Sequence, residues 1–240
     1  MSFTLDLDKA VQDITLNLDK NGVDLSHIPK LQVRLAIDKS GSMGDLYDNG
    51  YVSHIVDMMI AAGMMFDDNG ELEFGVFDFD FKPLKSVTKS ELGTFDEMRI
   101  HASGWTAFTP ILEKFWIGER IESEKQKLPN FVQKIVKFFN RNESDSPNHE
   151  KKGFLVVITD GMPTYPSDLI EFQNLLKELE PSTFLYIIGI GEDVKSNILK
   201  NIAKSHENVA TVHYKDPMGV SNETFYEDLV GEKFSNWLKG

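Results

Sequence analysis

An apolar run near the start of the sequence ends in oxygen-bearing side chains at alternate positions. The run reads LQVRLAI over residues 31–37, and Asp38, Ser40 and Ser42 follow it directly. Asp, Ser and Gly are ordinary turn residues, so a simple turn would use the same letters. A binding site for a hard cation such as Mg²⁺ would also use them, because carboxylate and hydroxyl oxygens are its ligands. The segment alone leaves both interpretations open.

Two other segments carry the same kinds of side chain. Asp160 comes directly after a predicted strand in VVITDGMPT, and Thr106 lies in a glycine-containing turn in SGWTAFTP. Ligands of open α/β sheets bind beyond the carboxyl ends of the strands, which is where we expect these segments. Oxygen ligands without His or Cys fit Mg²⁺, Mn²⁺ or Ca²⁺ better than Zn²⁺. The sequence therefore predicts a metal site formed by Asp38, Ser40, Ser42, Thr106 and Asp160.

Short apolar segments alternate with longer helical patterns along the chain. Near-continuous runs rich in β-branched and aromatic residues predict strands at 31–37, 71–79, 153–159, 183–190 and 210–214. Apolar residues at i, i+3, i+4 and i+7 predict helices at 52–66, 129–141, 166–179 and 194–205, with a last helix at 221–238. This alternation predicts a doubly wound α/β fold with a mostly parallel central sheet and helices on both faces.

One segment breaks the alternation. The stretch FGVFDFDFKPLKSV holds two strand-like runs with only a short break between them. We expect a hairpin there, whose second strand at 84–88 is an antiparallel edge strand of the sheet.

The first 30 residues differ from the rest of the chain. We expect residues 1–30 to form a strand or helix arm that packs on the domain, and residues 31–240 to form one domain. The polar, proline-containing segment 140–152 is expected to be a loop.

Composition excludes several classes of function. The 240 residues include no cysteine, which excludes disulfides, thiolate zinc sites and a cysteine nucleophile. The 38 acidic against 25 basic residues give a net charge of −13, which argues against a broad nucleic-acid-binding face. No signal peptide or membrane-spanning run is visible, so we expect a cytoplasmic protein without membrane insertion.

The five oxygen-bearing residues match a known pattern. The sequence resembles the von Willebrand factor A (vWA) domain, a Rossmann-like fold with a metal-ion-dependent adhesion site (MIDAS). That site combines Asp-x-Ser-x-Ser, a threonine in a glycine-containing loop and an aspartate in Thr-Asp-Gly, which are DKSGSM, GWTAF and TDG here. The family commonly has two glycines before the threonine. Trp105 replaces the second one, so Thr109 remains an alternative to Thr106.

The resemblance implies a coordination shell that the chain leaves unfinished. Ser40, Ser42 and Thr106 would bind the cation directly, whereas Asp38 and Asp160 would bind it mainly through water. Mg²⁺ keeps several waters, so a Glu or Asp carboxylate of a partner protein would complete the shell. The implied function is a non-catalytic, metal-dependent protein-binding module that is monomeric in isolation.

A narrower resemblance rests on the segment DLYDNGYVSHIVDMMIAAGMMFDDNGELEFGVFDF. Its helix and the turn at residues 66–70 are similar to the TerF-like branch of vWA proteins, which is associated with bacterial tellurite-resistance and stress operons. This resemblance implies a bacterial stress-response setting. Direct tellurite chemistry has no support, because the chain has no thiol.

The main alternative is a magnesium-dependent phosphohydrolase or phosphoacceptor that uses Asp38. The dehalogenase-type pattern Asp-x-Asp-x-Thr requires an acid at the position of Ser40, so the acid–base carboxylate is missing. Asp78 and Asp80 form another Asp-x-Asp pair in DFDFD, which we interpret as a strand end or hairpin corner.

Overall fold

The computed structural model describes residues 5–67, 71–95, 100–117, 152–179, 182–192, 194 and 196–240. Its strands are β1 (Gln32–Asp38), β2 (Glu73–Phe77), β3 (Phe81–Pro83), β4 (Gly153–Thr159), β5 (Thr183–Ile190) and β6 (Val209–Tyr214). They form a sheet of six strands in the order β3-β2-β1-β4-β5-β6. All neighbouring pairs are parallel except β2 and β3, which are antiparallel.

The helices are α1 (Leu7–Lys20), α2 (Gly44–Asp48), α3 (Tyr51–Phe66), α4 (Pro166–Leu179), α5 (Ser196–Ser205), α6 (Asn222–Leu229) and α7 (Glu232–Lys239). A π-helix spans Ile111–Ile117. Short 3-10 helices occur at Leu25–His27, Gly41–Met43, Lys89–Glu91 and Pro217–Gly219. The helix predicted at 129–141 lies outside the described residues, as does the loop predicted at 140–152 up to residue 151. No helix in the described part of the chain is long and apolar enough to cross a membrane.

Buried side chains cover both faces of the sheet, which confirms the doubly wound α/β prediction. One cluster packs α1, α3, α6 and α7 against one face, and the other packs α4, α5 and the π-helix against the opposite face. Leu35 and Ala36 are neighbours in β1 and belong to different clusters, because successive strand side chains point to opposite faces. Strands β4 and β5 are buried over their whole length, as their near-continuous apolar sequences require.

The predicted edge strand is in the wrong place. The chain turns tightly after β2, where the Asp78 N–H donates to the Asp80 carbonyl at 3.0 Å, so Phe81 already pairs with Phe77. β3 ends at Pro83, and the next residue, Leu84, still donates its N–H to the Phe74 carbonyl at 3.0 Å. Residues 84–88 form no strand, and beyond Leu84 they pair through the isolated bridge of Val87 to Leu72.

The last predicted helix is also corrected, because it is two helices. α6 ends before Val230, and α7 begins after Gly231, whose ψ of 179° is extended rather than helical. Glycine is an unfavourable residue in a helix interior, which favours a break there. The Ser235 hydroxyl donates to the Val230 carbonyl at 2.8 Å and satisfies an acceptor that a continuous helix would have used.

The N-terminal segment contributes α1 to the core. Asp6 caps the helix by accepting a hydrogen bond from the Lys9 N–H at 3.1 Å. Ala10, Ile14 and Leu18 are fully buried at a spacing of four residues, which places them on one helical face. This face packs against α3 and α6.

Candidate metal centre

The ends of β1 and β4 lie side by side at the carboxyl edge of the sheet. The two strands are parallel neighbours, so the residues that follow them share this edge. A third segment, residues 102–107, lies over the same edge and is bonded to the β1 loop. The Ser103 N–H donates to the Lys39 carbonyl at 2.7 Å, and the Gly41 N–H donates to the Gly104 carbonyl at 3.2 Å. Together they form an open cavity of about 420 Å³, lined by Ser40, Ser42, Gly104, Trp105, Thr106, Gly161, Met162 and Thr164.

Asp38 is fully buried in contact with Ser40 and Thr106 of the cavity lining, and both of its carboxylate oxygens accept hydrogen bonds. Oδ1 accepts from the Ser40 N–H at 2.8 Å. Oδ2 accepts from the Thr159 hydroxyl at 2.6 Å and from the Thr106 hydroxyl at 3.4 Å. All of these donors are neutral, so the contacts orient the carboxylate without neutralising it.

Burial raises the pKa of the Asp38 carboxyl to about 6, while the hydrogen bonds from Thr159 and Ser40 oppose that rise and the Asp160 carboxylate adds to it. Burial disfavours the charged form of a carboxyl, and a second negative charge acts in the same direction. A positive charge placed between the two carboxylates would therefore favour their ionised forms.

Ser40, Ser42 and Asp160 continue the cluster toward solvent. The Ser40 and Ser42 hydroxyl oxygens are 3.3 Å apart, and the Ser42 hydroxyl donates to Asp160 Oδ1 at 3.1 Å. Ser40 is buried, Ser42 is exposed and Asp160 is half-buried. The structure thus brings all five sequence-predicted residues into one hydrogen-bonded group that reaches from the sheet edge to the surface.

The structure also separates the two candidate threonines. The Thr106 hydroxyl lies against Asp38, whereas the Thr109 hydroxyl donates to the Asp168 carbonyl at 3.1 Å. The Asp168 carboxylate accepts from the Phe108 and Thr109 N–H groups at 2.7 and 3.1 Å, and so caps the helical segment that leads into the π-helix. Thr109 therefore anchors α4 to this segment, and Thr106 is the candidate threonine that contacts Asp38.

The donor set suits a hard divalent cation. The group combines three hydroxyls with two carboxylates and contains no imidazole or thiolate, which is the oxygen chemistry that Mg²⁺, Ca²⁺ and Mn²⁺ prefer. Among the described residues, no three His, Asp or Glu side chains cluster in a way that could hold a metal. A cation at this edge would therefore depend on the hydroxyls as well as on the two carboxylates.

Comparison with known families places this geometry in context. A family model for vWA-TerF-like proteins, described as the vWA domain found in the TerF C terminus, matches residues 30–240. The chain belongs to the vWA-TerF-like family. Over 241 aligned residues it is 26% identical to the uncharacterized protein YcbR of Bacillus subtilis (strain 168), covering 94% of this chain and 87% of that protein.

Solved structures share the vWA fold at low sequence identity. The match to the manganese-loaded TRAP protein of Plasmodium vivax covers 81% of this chain and 73% of the TRAP chain, with 15% identity and a TM-score of 0.52. The match to proximal thread matrix protein 1 of the mussel byssus, with a zinc-occupied MIDAS motif, covers 86% of this chain and 48% of the mussel chain, with 15% identity and a TM-score of 0.51. Other similar solved structures also have longer chains, of which this chain covers 43% to 48%.

The threonine loop of this vWA domain keeps its glycine where the backbone requires one. Gly104 has a φ of +89°, a conformation that side chains disfavour, and a Cβ there would lie 3.3 Å from Asp78. Asp78 forms an ion pair with Lys39 and accepts the Ala107 N–H at 2.7 Å through its carbonyl. The Asp78–Asp80 corner, interpreted from the sequence as a strand end or hairpin corner, thus fixes the loop that carries Thr106.

Two site residues of this vWA domain were missed in the sequence. Thr159 donates the shortest hydrogen bond to Asp38, yet in VVITDG it looks like an ordinary β-branched strand residue. The signal available was its place at the end of β4 beside the end of β1. Ile158 pairs with Ile37, so the next residues, Thr159 and Asp38, lie opposite each other. The Tyr47 hydroxyl donates to the Asp38 carbonyl at 2.8 Å, and no motif in the sequence indicates that contact.

Proposed function

We propose that this vWA protein is a non-catalytic, metal-dependent protein-binding module. A divalent cation, Mg²⁺ in the first place with Ca²⁺ or Mn²⁺ as alternatives, would bind at Asp38, Ser40, Ser42, Thr106 and Asp160. The observation that carries the proposal is the meeting of three hydroxyls that line one open cavity with two carboxylates in hydrogen-bond contact with them, all from separate loops. The manganese and zinc present in the two vWA neighbours support a divalent cation here.

The contribution of each residue to the proposed site depends on how deeply it is buried. Asp38 supplies a fixed, buried negative charge, and Asp160 supplies a second charge nearer the surface. The hydroxyls of Ser40, Ser42 and Thr106 supply neutral oxygens, so the site balances the charge of a dication without exceeding it. When bound, the cation supplies an electrophilic position that attracts an anionic oxygen. A Glu or Asp carboxylate of a partner protein fits that position because it brings charge directly to the metal.

The position of Asp38 supports binding over catalysis. A phosphoacceptor or dehalogenase-type nucleophile needs a carboxylate oxygen that can reach a substrate phosphorus. Here Asp38 is fully buried and its two oxygens accept hydrogen bonds from Ser40, Thr159 and Thr106. The alternative of a magnesium-dependent phosphohydrolase therefore gains no support from this geometry.

We extend the proposal to the setting that the TerF-like family suggests. The protein would act in the cytoplasm of a bacterium, in a tellurium-resistance or stress-response system, as a monomer until its partner binds. Residues 1–30 would form an arm that packs through α1 on a vWA domain at 31–240.

The cation part of the proposal is tested by thermal unfolding of the full chain in EDTA and in Mg²⁺. At about 100 times the dissociation constant, the cation should stabilise the fold by about 2.7 kcal/mol, a rise in Tm of about 5–10 °C. Asp38→Ala should abolish this rise. Because Asp38 is buried, Ser42→Ala provides a second test at an exposed position that should fold normally.

A matched control removes a carboxylate outside the site. Asp48 is exposed at the end of α2, and Asp48→Asn should keep the full Mg²⁺ effect. Wild-type stabilisation by Mg²⁺ in Asp38→Ala or Ser42→Ala would show that the site assignment is wrong. The partner part is tested by affinity capture in Mg²⁺ followed by elution with EDTA and identification of the eluted protein. Capture that persists in EDTA would contradict a metal-dependent module.

A further inference from the structure

Two large aromatic side chains stand exposed beside the candidate metal centre. Trp105 and Tyr165 are each 56% exposed, and their ring centroids are 6.0 Å apart at an interplanar angle of 32°. Single exposed apolar residues are common on protein surfaces, but two that pack on each other form a patch, and patches of this kind mark binding sites. We call the surface formed by Trp105 and Tyr165 the aromatic shelf.

Two hydrogen bonds between the loops that carry Trp105 and Tyr165 position the aromatic shelf. The Thr164 N–H donates to the Thr106 carbonyl at 2.9 Å, and the Thr106 N–H donates to the Thr164 hydroxyl at 3.2 Å. Trp105 directly precedes one of these residues, and Tyr165 directly follows the other. A surface positioned in this way before binding loses little conformational entropy when a ligand covers it.

The shelf is continuous with the candidate metal centre. Trp105 lines the same cavity as Ser40, Ser42 and Thr106, and Met162 adds a further apolar side chain to that lining. None of the residues that line the cavity carries a charge. Beside a bound cation, the lining would therefore be uncharged, with hydroxyls from Ser and Thr side chains and apolar area from Trp105 and Met162.

This distribution of charge selects the occupant. The cation would attract a carboxylate. None of the residues that line the cavity is a carboxylate that could pair with a Lys or Arg side chain, so such a side chain would gain only stacking on Trp there. An apolar side chain next to the carboxylate would instead bury area against Trp105 and Met162 without any charge to desolvate.

We propose that the aromatic shelf recognises a large apolar side chain that lies within two positions of the metal-bound Glu or Asp in the partner segment. The inference rests on the proposed function of the metal centre. The shelf is the part that selects among acidic partners, since the metal alone would accept any accessible carboxylate. Trp105, which departs from the common glycine of the family pattern, is thereby a specificity-determining residue.

The probe is a random peptide library displayed on phage and selected on the full chain in millimolar Mg²⁺, with elution by EDTA. We expect the eluted peptides to share an acidic residue with an aromatic or large aliphatic residue within two positions. The strongest peptide, made synthetically, should bind Trp105→Ala and Tyr165→Ala about tenfold more weakly, the equivalent of about 1.4 kcal/mol each. The remaining binding should still require Mg²⁺. Leu16→Ala, a change at a 51% exposed residue of α1, is the matched control and should bind as the wild type does.

The outcomes separate the shelf from the metal centre. Acidic peptides without an apolar preference would overturn the role of the shelf and leave the proposed function standing. Selected peptides enriched in Lys or Arg beside the carboxylate would also overturn the role of the shelf alone. So would a peptide affinity that is unchanged in Trp105→Ala and Tyr165→Ala. The absence of any peptide released by EDTA would overturn both proposals.

Discussion

Strand β1 carries two buried charges four residues apart, and the structure compensates them in different ways. Arg34 and Asp38 are both fully buried. They lie on the same face of the strand, because alternate residues of a strand point in the same direction. Burying a charge is costly unless it is paired or hydrogen-bonded, so each residue requires a compensating environment.

Arg34 finds its compensation within the chain. Its Nε lies 2.7 Å from Glu73 Oε2 on the neighbouring strand, and its Nη1 donates to the Phe115 carbonyl of the π-helix. Its Cζ lies 5.1 Å from the ring centroids of both Phe115 and Trp116, within the range of cation–π attraction. A carboxylate, a carbonyl and two aromatic faces surround this guanidinium.

Asp38 is surrounded differently. In the described part of the chain, the groups that donate to its carboxylate are the Ser40 backbone N–H and the hydroxyls of Thr159, Thr106 and Ser40. The two residues therefore differ in what compensates their charge. The first charge is matched by the protein and belongs to the fold, whereas the second is only oriented and is suited to a cation from solution.

The largest effect is expected from Arg34→Met, which removes the matched charge and keeps most of the side-chain length. It should lower the free energy of unfolding by about 3–5 kcal/mol, because the carbonyl and carboxylate around the guanidinium lose their donor. Chemical denaturation in EDTA and in Mg²⁺ should give the same loss. Glu73→Gln is the matched control and should cost less, since the Glu73 side chain is 36% exposed. A loss that depends on Mg²⁺ would contradict the division of roles.

Thr159→Val should have an intermediate effect, because it deletes the closest hydroxyl to Asp38 and preserves the shape of the side chain. The expected loss in EDTA is about 1.5–3 kcal/mol, the usual range for a hydrogen bond to a charged group. Thr159→Ser keeps the hydroxyl and serves as the control. A loss in Thr159→Val no larger than the loss in Thr159→Ser would mean that the hydroxyl contributes no more than the packing of one methyl group, and Thr159 would not belong to the site.

Much of the candidate site could be predicted because its geometry follows from topology. Asp38 and Asp160 end neighbouring parallel strands, and parallel strands place their carboxyl ends at one edge of the sheet. The apolar periodicity that predicts β1 and β4 therefore also predicts that the two aspartates meet. The spacing of Ser40 and Ser42 after Asp38 adds the hydroxyls without any long-range information.

The remaining features depend on contacts that no local pattern encodes. The environment of Arg34 requires the Phe115 carbonyl, which only the packing of the π-helix against β1 brings near. The pairing that fixes β3 depends on the tight turn after Phe77 rather than on the apolar character of residues 84–88. Asp168 lies in the first turn of α4, yet its carboxylate caps the distant segment at Phe108 and Thr109.

The smallest expected effect concerns the loop that brings Thr106 to Asp38, and Gly104→Ala tests it. The φ of +89° should cost about 1–2 kcal/mol for a residue with a side chain, and the new Cβ would press on Asp78. Gly161→Ala is the matched control at the same cavity, because a Cβ there meets no heavy atom within 4 Å and its φ is not left-handed. Thermal unfolding should show a loss of stability and a smaller Mg²⁺ effect for Gly104→Ala, but neither change for Gly161→Ala. Since the Thr106 hydroxyl reaches Asp38 only from this loop, an unchanged Mg²⁺ effect in a destabilised Gly104→Ala protein would remove Thr106 from the metal centre.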